Sequence, residues 1–425
     1  MKIYFTAILL LLSTVAGSGQ WSYLGLSTTS TTDLTIYGDT IYASTYNGIY
    51  KKGLLSTDTL WSACGLQGNH VVQTLVPDYL TFICVMEVGS SRQTQIYKSI
   101  NGGDSFTLMK KSLSAQNSYA YLDKIAHPEG NYDTLYFLDH RLRTYNGGVT
   151  WDTLTNISEN TNRFIKLNPE NHHQLFIGGE TFILSAYIQT STDRGDNWHF
   201  LPNMSSFFAG DNAIHDMIMD GNEWFAAGEG VIGKTSDGGT SWEQLVNYWD
   251  RQDHWSLYFT DIEQSPADKH QLYATGLGYF TDRVPLLHSS NHGIDWDTLS
   301  YKPLNLPAGT TTDITCMSIK NISGGDQVYL GGKGVYLYTN NLEGIPDIPD
   351  EQTVTIYPNP TDKKVTITLP STAKRLQIIN IQGKVVESRP VHGQMQLNME
   401  FGDPGIYIIQ ITTDKGKLSR KVIVQ

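Results

Sequence analysis

One octapeptide recurs five times in this chain of 425 residues, and it limits the possible folds more than any other feature. It reads SINGGDSF at 99–106, TYNGGVTW at 144–151, STDRGDNW at 191–198, TSDGGTSW at 235–242 and SSNHGIDW at 289–296. Successive copies start 45, 47, 44 and 54 residues apart. A fixed period sets the architecture, and about 40–50 residues is the length of one four-stranded propeller blade. Each position has a job. The acid or amide (Asn101, Asn146, Asp193, Asp237, Asn291) can fold back onto backbone N–H groups of a turn. The glycine (Gly103, Gly148, Gly195, Gly239, Gly293) permits positive φ. The ring after it (Phe106, Trp151, Trp198, Trp242, Trp296) opens the next strand and can bury a large apolar area.

Two weaker units flank the five, LSTDTLW at 55–61 and LYTNNLEG at 337–344. Apolar strand patterns precede the boxes, among them TIYAST at 40–45, QLFIGG at 174–179 and QVYLGG at 327–332. Counting both weak units predicts seven blades. Trp21-Ser22-Tyr23-Leu24 matches the residues just after complete boxes, such as Trp151-Asp152-Thr153-Leu154. It has no box before it, and the last box has no such strand after it. Residues 21–24 are therefore predicted to supply the outer strand of the last blade and close the ring.

The octapeptide resembles the Asp-box (BNR) repeat of sialidases, sortilin-like receptors and photosystem assembly factors. The resemblance covers residues 21 to about 345. It implies an all-β, seven-bladed β-propeller in which the box is a structural turn at the rim, without a catalytic role.

Residues 1–19 read as a signal peptide: Lys2, an apolar run from Ile3 to Val15, then Ala16, Gly17, Ser18 and Gly19. That run is too short for a comfortable membrane span and no second one follows, so no transmembrane segment is expected. The net charge is −12, yet from Asp347 onward ten Lys/Arg face eight Asp/Glu. The body is therefore strongly acidic, which argues against nucleic acid as a partner. Cys64, Cys84 and Cys316 are too few and too scattered for a disulfide framework. They read as buried thiols, with a Cys64–Cys84 bridge as the alternative.

The propeller is predicted to span 20–343, followed by a linker, GIPDIPDEQ, at 344–352. Seven short alternating segments between 354 and 425 then predict a small Ig-like β-sandwich over 353–425. This segment resembles the type A C-terminal sorting domain of the type IX secretion system of Bacteroidetes. The matching residues are Tyr357-Pro358-Asn359-Pro360, Asn380 to Gly383-Lys384, Pro404-Gly405-Ile406-Tyr407 and Lys421 to Gln425. The resemblance implies recognition by that machinery, and a chain released outside the cell or anchored to its outer surface.

Catalytic signatures are sparse. Sialidases need three converging Arg, a Tyr-Glu pair and an acid. The propeller has seven Arg, one of them (Arg194) inside a box, and lacks the Arg-Ile-Pro opening of that family. Xyloglucan-cleaving enzymes with these repeats set paired Asp between two facing seven-bladed propellers, and one propeller leaves half of such a cleft missing. No HExxH, CxxC, EF-hand loop or phosphate loop occurs, so neither metal nor cofactor is expected. Two features remain. Asp33, Asp216, Asp261 and Asp313 start presumed innermost strands, each after Thr or His. They are expected at one end of the channel, either capping N–H groups of a neighbouring blade or forming a ring for a cation or polar ligand. The segment NYWDRQDHWSLYF at 247–259 gathers Trp249, Arg251, Asp253 and Trp255, a mixture suited to a glycan or peptide. The sequence thus predicts a secreted, non-catalytic propeller that binds a glycan or protein partner. A glycoside hydrolase and a structural envelope or adhesion component are the alternatives. A hydrolase should show paired carboxylates in a deep pocket; a binder should show an exposed aromatic platform.

Overall fold

The structure is a computed structural model. It describes residues 20–425 except 55, 57, 90–92, 112–124, 139, 159, 182–184, 203, 205–212, 248–256, 279–282, 300, 303–312, 323–324, 342–354, 358–360, 370–372, 381–383, 392–395, 414–415 and 425. The predicted signal peptide and linker therefore lie outside the described residues. The chain divides into two compact units, Met1–Glu343 and Gly344–Gln425.

The first unit forms five four-stranded antiparallel sheets and one six-stranded sheet among the described residues. The four-stranded sheets run in chain order from His70–Leu75 to Thr107–Lys111, Ile125–Ala126 to Asp152–Thr153, Thr161–Leu167 to His199–Phe200, Ile214–Asp220 to Glu243–Asn247, and Leu257–Gln264 to Asp297–Thr298. In the six-stranded sheet, Gln20–Tyr37 and Gly325–Asn341 change partners part-way. Gly325 to Gly332 pairs with Ile314–Ile322, and the rest of that strand pairs with the start of Gln20–Tyr37. Trp21 faces Tyr338, Ser22 faces Leu337 and Tyr23 faces Tyr336, the pairing expected of a closing strand. Thr31 to Tyr37 then pairs with Thr40–Thr45. Apolar clusters fill the space between successive sheets. Tyr136 and Leu138 meet Ile165, Ile177 and Trp198; Phe164 and Phe176 meet Met217 and Trp224. Each such fully buried aromatic contributes roughly 2–3 kcal/mol.

The five octapeptides adopt one turn. The glycine N–H donates to the opening hydroxyl: Gly103 to Ser99, Gly148 to Thr144, Gly195 to Ser191, Gly239 to Thr235 and Gly293 to Ser289, at 2.8–3.1 Å. The amide four residues past the Asp or Asn donates to its Oδ1, from Ser105, Thr150, Asn197, Ser241 and Asp295, at 2.8–3.0 Å. The residue before the glycine is also left-handed, with φ of 72 at Gly102, 64 at Gly147, 62 at Arg194, 70 at Gly238 and 59 at His292. Arg194 and His292 therefore carry roughly 1–2 kcal/mol of backbone strain each.

The glycine has a second constraint that the sequence pattern did not reveal. A Cβ at Gly148 would lie 2.2 Å from Met109, at Gly195 2.5 Å from Leu154, at Gly239 2.9 Å from Leu201 and at Gly293 2.8 Å from Leu245. Each of these side chains stands three residues past the ring of the preceding copy. The turn thus locks its own hairpin and receives a side chain from the sheet before it. Cys64 holds the corresponding place after Trp61, with its carbonyl 2.4 Å from a Cβ at Gly103.

In two of the five turns the accepting residue is a carboxylic acid. Hydrogen bonds from Asn197 hold the Asp193 carboxyl at about 2, and bonds from Ser241 hold Asp237 at about 2. Their stabilising effect is complete above the ordinary value of 3.8 and is lost as pH falls through about 2. The Asp193→Asn, Asp237→Asn double variant copies the other three turns. It should lose part of the pH dependence of stability between about pH 4 and 2 and change little at neutrality. Urea unfolding at stepped pH checks this; an unchanged acid slope refutes it.

The second unit packs a three-stranded sheet on a four-stranded one. Thr355–Tyr357, Lys364–Thr368 and Gln396–Glu400 form the first. Val385–Pro390, Ala373–Asn380, Gly405–Thr413 and Gly416–Val424 form the second. Alternation sends Val365, Ile367, Leu376, Ile378, Ile409 and Ile411 into the core between them.

Candidate functional site at the channel mouth

Six of the inner strands share one irregularity. A one-residue register shift falls between Thr31 and Asp33, Val71 and Gln73, Asn162 and Phe164, Ile214 and Asp216, Phe259 and Asp261, and Ile314 and Cys316. Bulges re-aim side chains. Here they turn side chains towards the neighbouring sheet. Asp33 Oδ2 accepts the Thr74 amide at 3.1 Å, Asp216 Oδ2 the Ile262 amide at 3.1 Å and Asp261 Oδ2 the Met317 amide at 2.6 Å. Gln73 Oε1 takes the same part towards the Ile125 amide at 2.9 Å. The bulged threonines add a second bond: Thr32 donates to Val71 O, Thr260 to Ile314 O and Thr315 to Thr31 O, at 2.6–3.0 Å. Asp216 also pairs with Lys166 Nζ at 3.0 Å.

Asp33, Asp216 and Asp261 line a central cavity of about 250 Å³ together with Glu263, Thr315 and Cys316. Asp313 does not join them. It sits one residue before Ile314–Ile322, and the ladder position held by the other three belongs to Cys316. The expected fourth carboxylate is displaced because dipeptide matching cannot register a bulge. All three thiols are free and buried, so the alternative Cys64–Cys84 bridge is not formed. Burial pushes the Cys84 thiol up to about 12, which keeps it protonated and unreactive.

A second ring of positions lies at the end where these strands begin. Counting three residues past Ala43, Cys84, Ile177, Ala226 and Leu330, all at matching ladder positions, gives Tyr46, Glu87, Glu180, Glu229 and Lys333. Each of the three glutamates meets a base. Glu87 lies 3.1 Å from His70 Nδ1, Glu180 lies 2.5 Å from Arg163 Nη2 and Glu229 lies 3.6 Å from His215 Nε2. Tyr46 stacks on His70 at 4.0 Å between ring centres, with 12° between planes. Both ring nitrogens of His215 are buried, and among the described residues neither has a hydrogen-bond partner. Burial drives its pKa down, against the opposing pull of Glu229. Composition alone missed these residues. A usable signal was the Gly-Glu dipeptide that closes two strand patterns, at 179–180 and 228–229.

Trp249, Arg251, Asp253 and Trp255 lie outside the described residues. Leu257, the next described residue, opens the strand Leu257–Gln264. Among the described residues, no three His, Cys, Asp or Glu side chains converge as a metal-binding group. Among them, too, no helix is long and apolar enough to cross a membrane.

Residues 355–425 match the family of secretion system C-terminal sorting domains. This is an exported protein. The domain assigns it to the extracellular or outer-surface space, and to handling by the type IX machinery. A comparison with curated proteins finds no match. Among solved structures, the exported chain is similar to the GH74 xyloglucanase from Xanthomonas campestris, at TM-score 0.59 and 13% identity over 95% of this chain and 75% of that one. It is similar to the GH74 enzyme from Niastella koreensis, at 0.58 and 12% over 95% and 73%. It is also similar to YCF48 from Cyanidioschyzon merolae, at 0.50 and 12% over 75% and 98%. At these identities the likeness is one of fold, and the exported protein is a β-propeller.

Proposed function

We propose that this exported protein is a non-catalytic, seven-bladed Asp-box propeller that binds a glycan or protein partner at the channel mouth where the inner strands begin. Seven is the blade count when the two halves of the six-stranded sheet are taken apart at their partner changes. The C-terminal unit is then the Ig-like address that takes the propeller out of the cell. The observation that carries the binding reading is the repetition of an acid–base pair at one ladder position in three of the sheets, the second, fourth and fifth in chain order, beside the exposed Tyr46. Such a mouth offers donors, acceptors and an aromatic face on a rigid scaffold. Glycoside cleavage needs one carboxyl to give a proton and another to act across the bond. Here Asp33, Asp216 and Asp261 hold amides, while Glu87, Glu180 and Glu229 each meet a base.

A glycan array read alongside an assay for glycan cleavage tests this on the full chain. Tyr46 and Lys333 are both exposed, so the Tyr46→Ala, Lys333→Ala variant should keep its melting temperature. Its affinity for the array ligand, or for a captured protein partner, should fall about tenfold or more. Cleavage of any array glycan would replace the binding reading with a hydrolase. Unchanged affinity in the folded double variant would place the ligand elsewhere.

A further inference from the structure

The opposite end of the inner strands carries a different surface. Three consecutive sheets pass from first to second strand through residues 37–40, 76–81 and 127–134, which read YGDT, VPDYLT and HPEGNYDT. These turns hold Tyr37, Tyr79, His127 and Tyr132 together with Asp39, Asp78, Glu129 and Asp133, and no Lys or Arg. The corresponding turns of the next three sheets, 168–174, 220–223 and 265–271, contain no Tyr, Trp or Phe.

Tyr79 is held in place although it is 50% exposed. Its ring meets Tyr37 edge-on, 4.8 Å between centres and 81° between planes. Its hydroxyl donates to Asp39 Oδ1 of the neighbouring turn at 3.1 Å. It lies over Gly38, where a Cβ would come within 2.1 Å of that hydroxyl, so the glycine at φ +61 makes the room. Leu80 beside it is 60% exposed. In the third turn, His127 stacks on Tyr132 at 4.8 Å. Burial raises the Tyr132 phenol, and the charges of Tyr37 and Glu129 raise it further.

Charge and hydrogen bonding narrow the range of ligands such a surface can take. Four carboxylates without a cation in these turns repel anionic ligands. Asp78 Oδ1 already accepts the Leu80 and Thr81 amides at 2.8 and 2.9 Å, so the turn itself solvates its charge. The hydrogen bonds to Asp39 from Tyr79 and Thr40 both fall on Oδ1, which leaves Oδ2 as an acceptor. The surface thus sets an immobilised aromatic face beside an acceptor. We propose that it binds a neutral saccharide, with the sugar's C–H face on the Tyr79 ring and a hydroxyl donated to Asp39. This site is independent of the acid–base mouth at the other end of the same strands.

The test uses the full chain with cellohexaose, maltohexaose and N-acetylchitohexaose, and hexalysine as the cationic control. Binding is read by saturation-transfer NMR. Nitration of individual tyrosines by tetranitromethane is mapped by peptide mass spectrometry. At least one hexasaccharide should bind, and should protect Tyr79 while leaving Tyr145 as reactive as before. Tyr79→Ala should weaken that binding about tenfold, whereas Tyr79→Phe, which keeps the ring, should retain it. Ile294→Ala, at an exposed side chain of a box turn outside both mouths, should leave it unchanged. The nitration readout needs no variant and so survives a folding defect. Failure of all three hexasaccharides to bind, or undiminished binding by Tyr79→Ala, overturns the proposal. Protection of Tyr79 by hexalysine alone would reassign the surface to a basic peptide.

Discussion

Trp21→Ala should weaken the whole first unit by about 3 kcal/mol, the lower end of the range for Trp-to-Ala changes, because the ring is only partly buried. Trp21 stacks on Tyr301 at 5.2 Å with 10° between planes, and meets Tyr338 at 5.2 Å. Both partners belong to the end of the unit, about three hundred residues away in sequence. Tyr23 repeats the contact on Tyr336 at 5.4 Å. Losing the first contact therefore loosens a long loop closure and exposes the edge of Gly325–Asn341. The loss should be cooperative. Urea unfolding followed by fluorescence and by circular dichroism should give coincident transitions, both moved to lower denaturant. A variant in which only the first residues fray, with an unmoved main transition, would refute the closing role.

Deleting residues 346–425 should abolish delivery to the cell surface and leave the chain inside the outer membrane. The whole sorting match, 355–425, lies in the second unit, and the first unit has clusters of buried side chains of its own. The expected change is all-or-none, because an address that is absent cannot be read weakly. Fractionation of cells with surface protease treatment measures it. Normal surface display of the truncated chain would falsify the assignment of the address to this segment. Peptides from surface material should also lack residues 405–425 if the address is removed after use.

Local features were legible in the sequence. The octapeptide turn closes its bonds within eight residues, so its residue types carry the geometry with them. The closing strand was legible because Trp21 to Leu24 copies a pattern that other blades place after a box. The carboxylates were legible in part. Asp33, Asp216 and Asp261 do cap the next sheet, but Asp313 is off the ladder and Gln73 takes a role that was read only for acids.

The sequence by itself determined the repeat, the turn chemistry and the export address, because each is written in residues close together along the chain. The tertiary structure decided the site. A bulge in six of the inner strands shifts the ladder by one residue and so selects which side chains reach the neighbouring sheet. Glu87, Glu180 and Glu229 come to one mouth, and Tyr37 and Tyr79 come to the other, only because successive sheets are placed side by side. No spacing within one repeat encodes that placement. It comes from the packing between successive sheets, as where Cys64, Leu154, Leu201 and Leu245 meet the glycines of the next turn. That packing sets side by side residues forty or so apart in sequence, Asp33 with Thr74 and Asp39 with Tyr79.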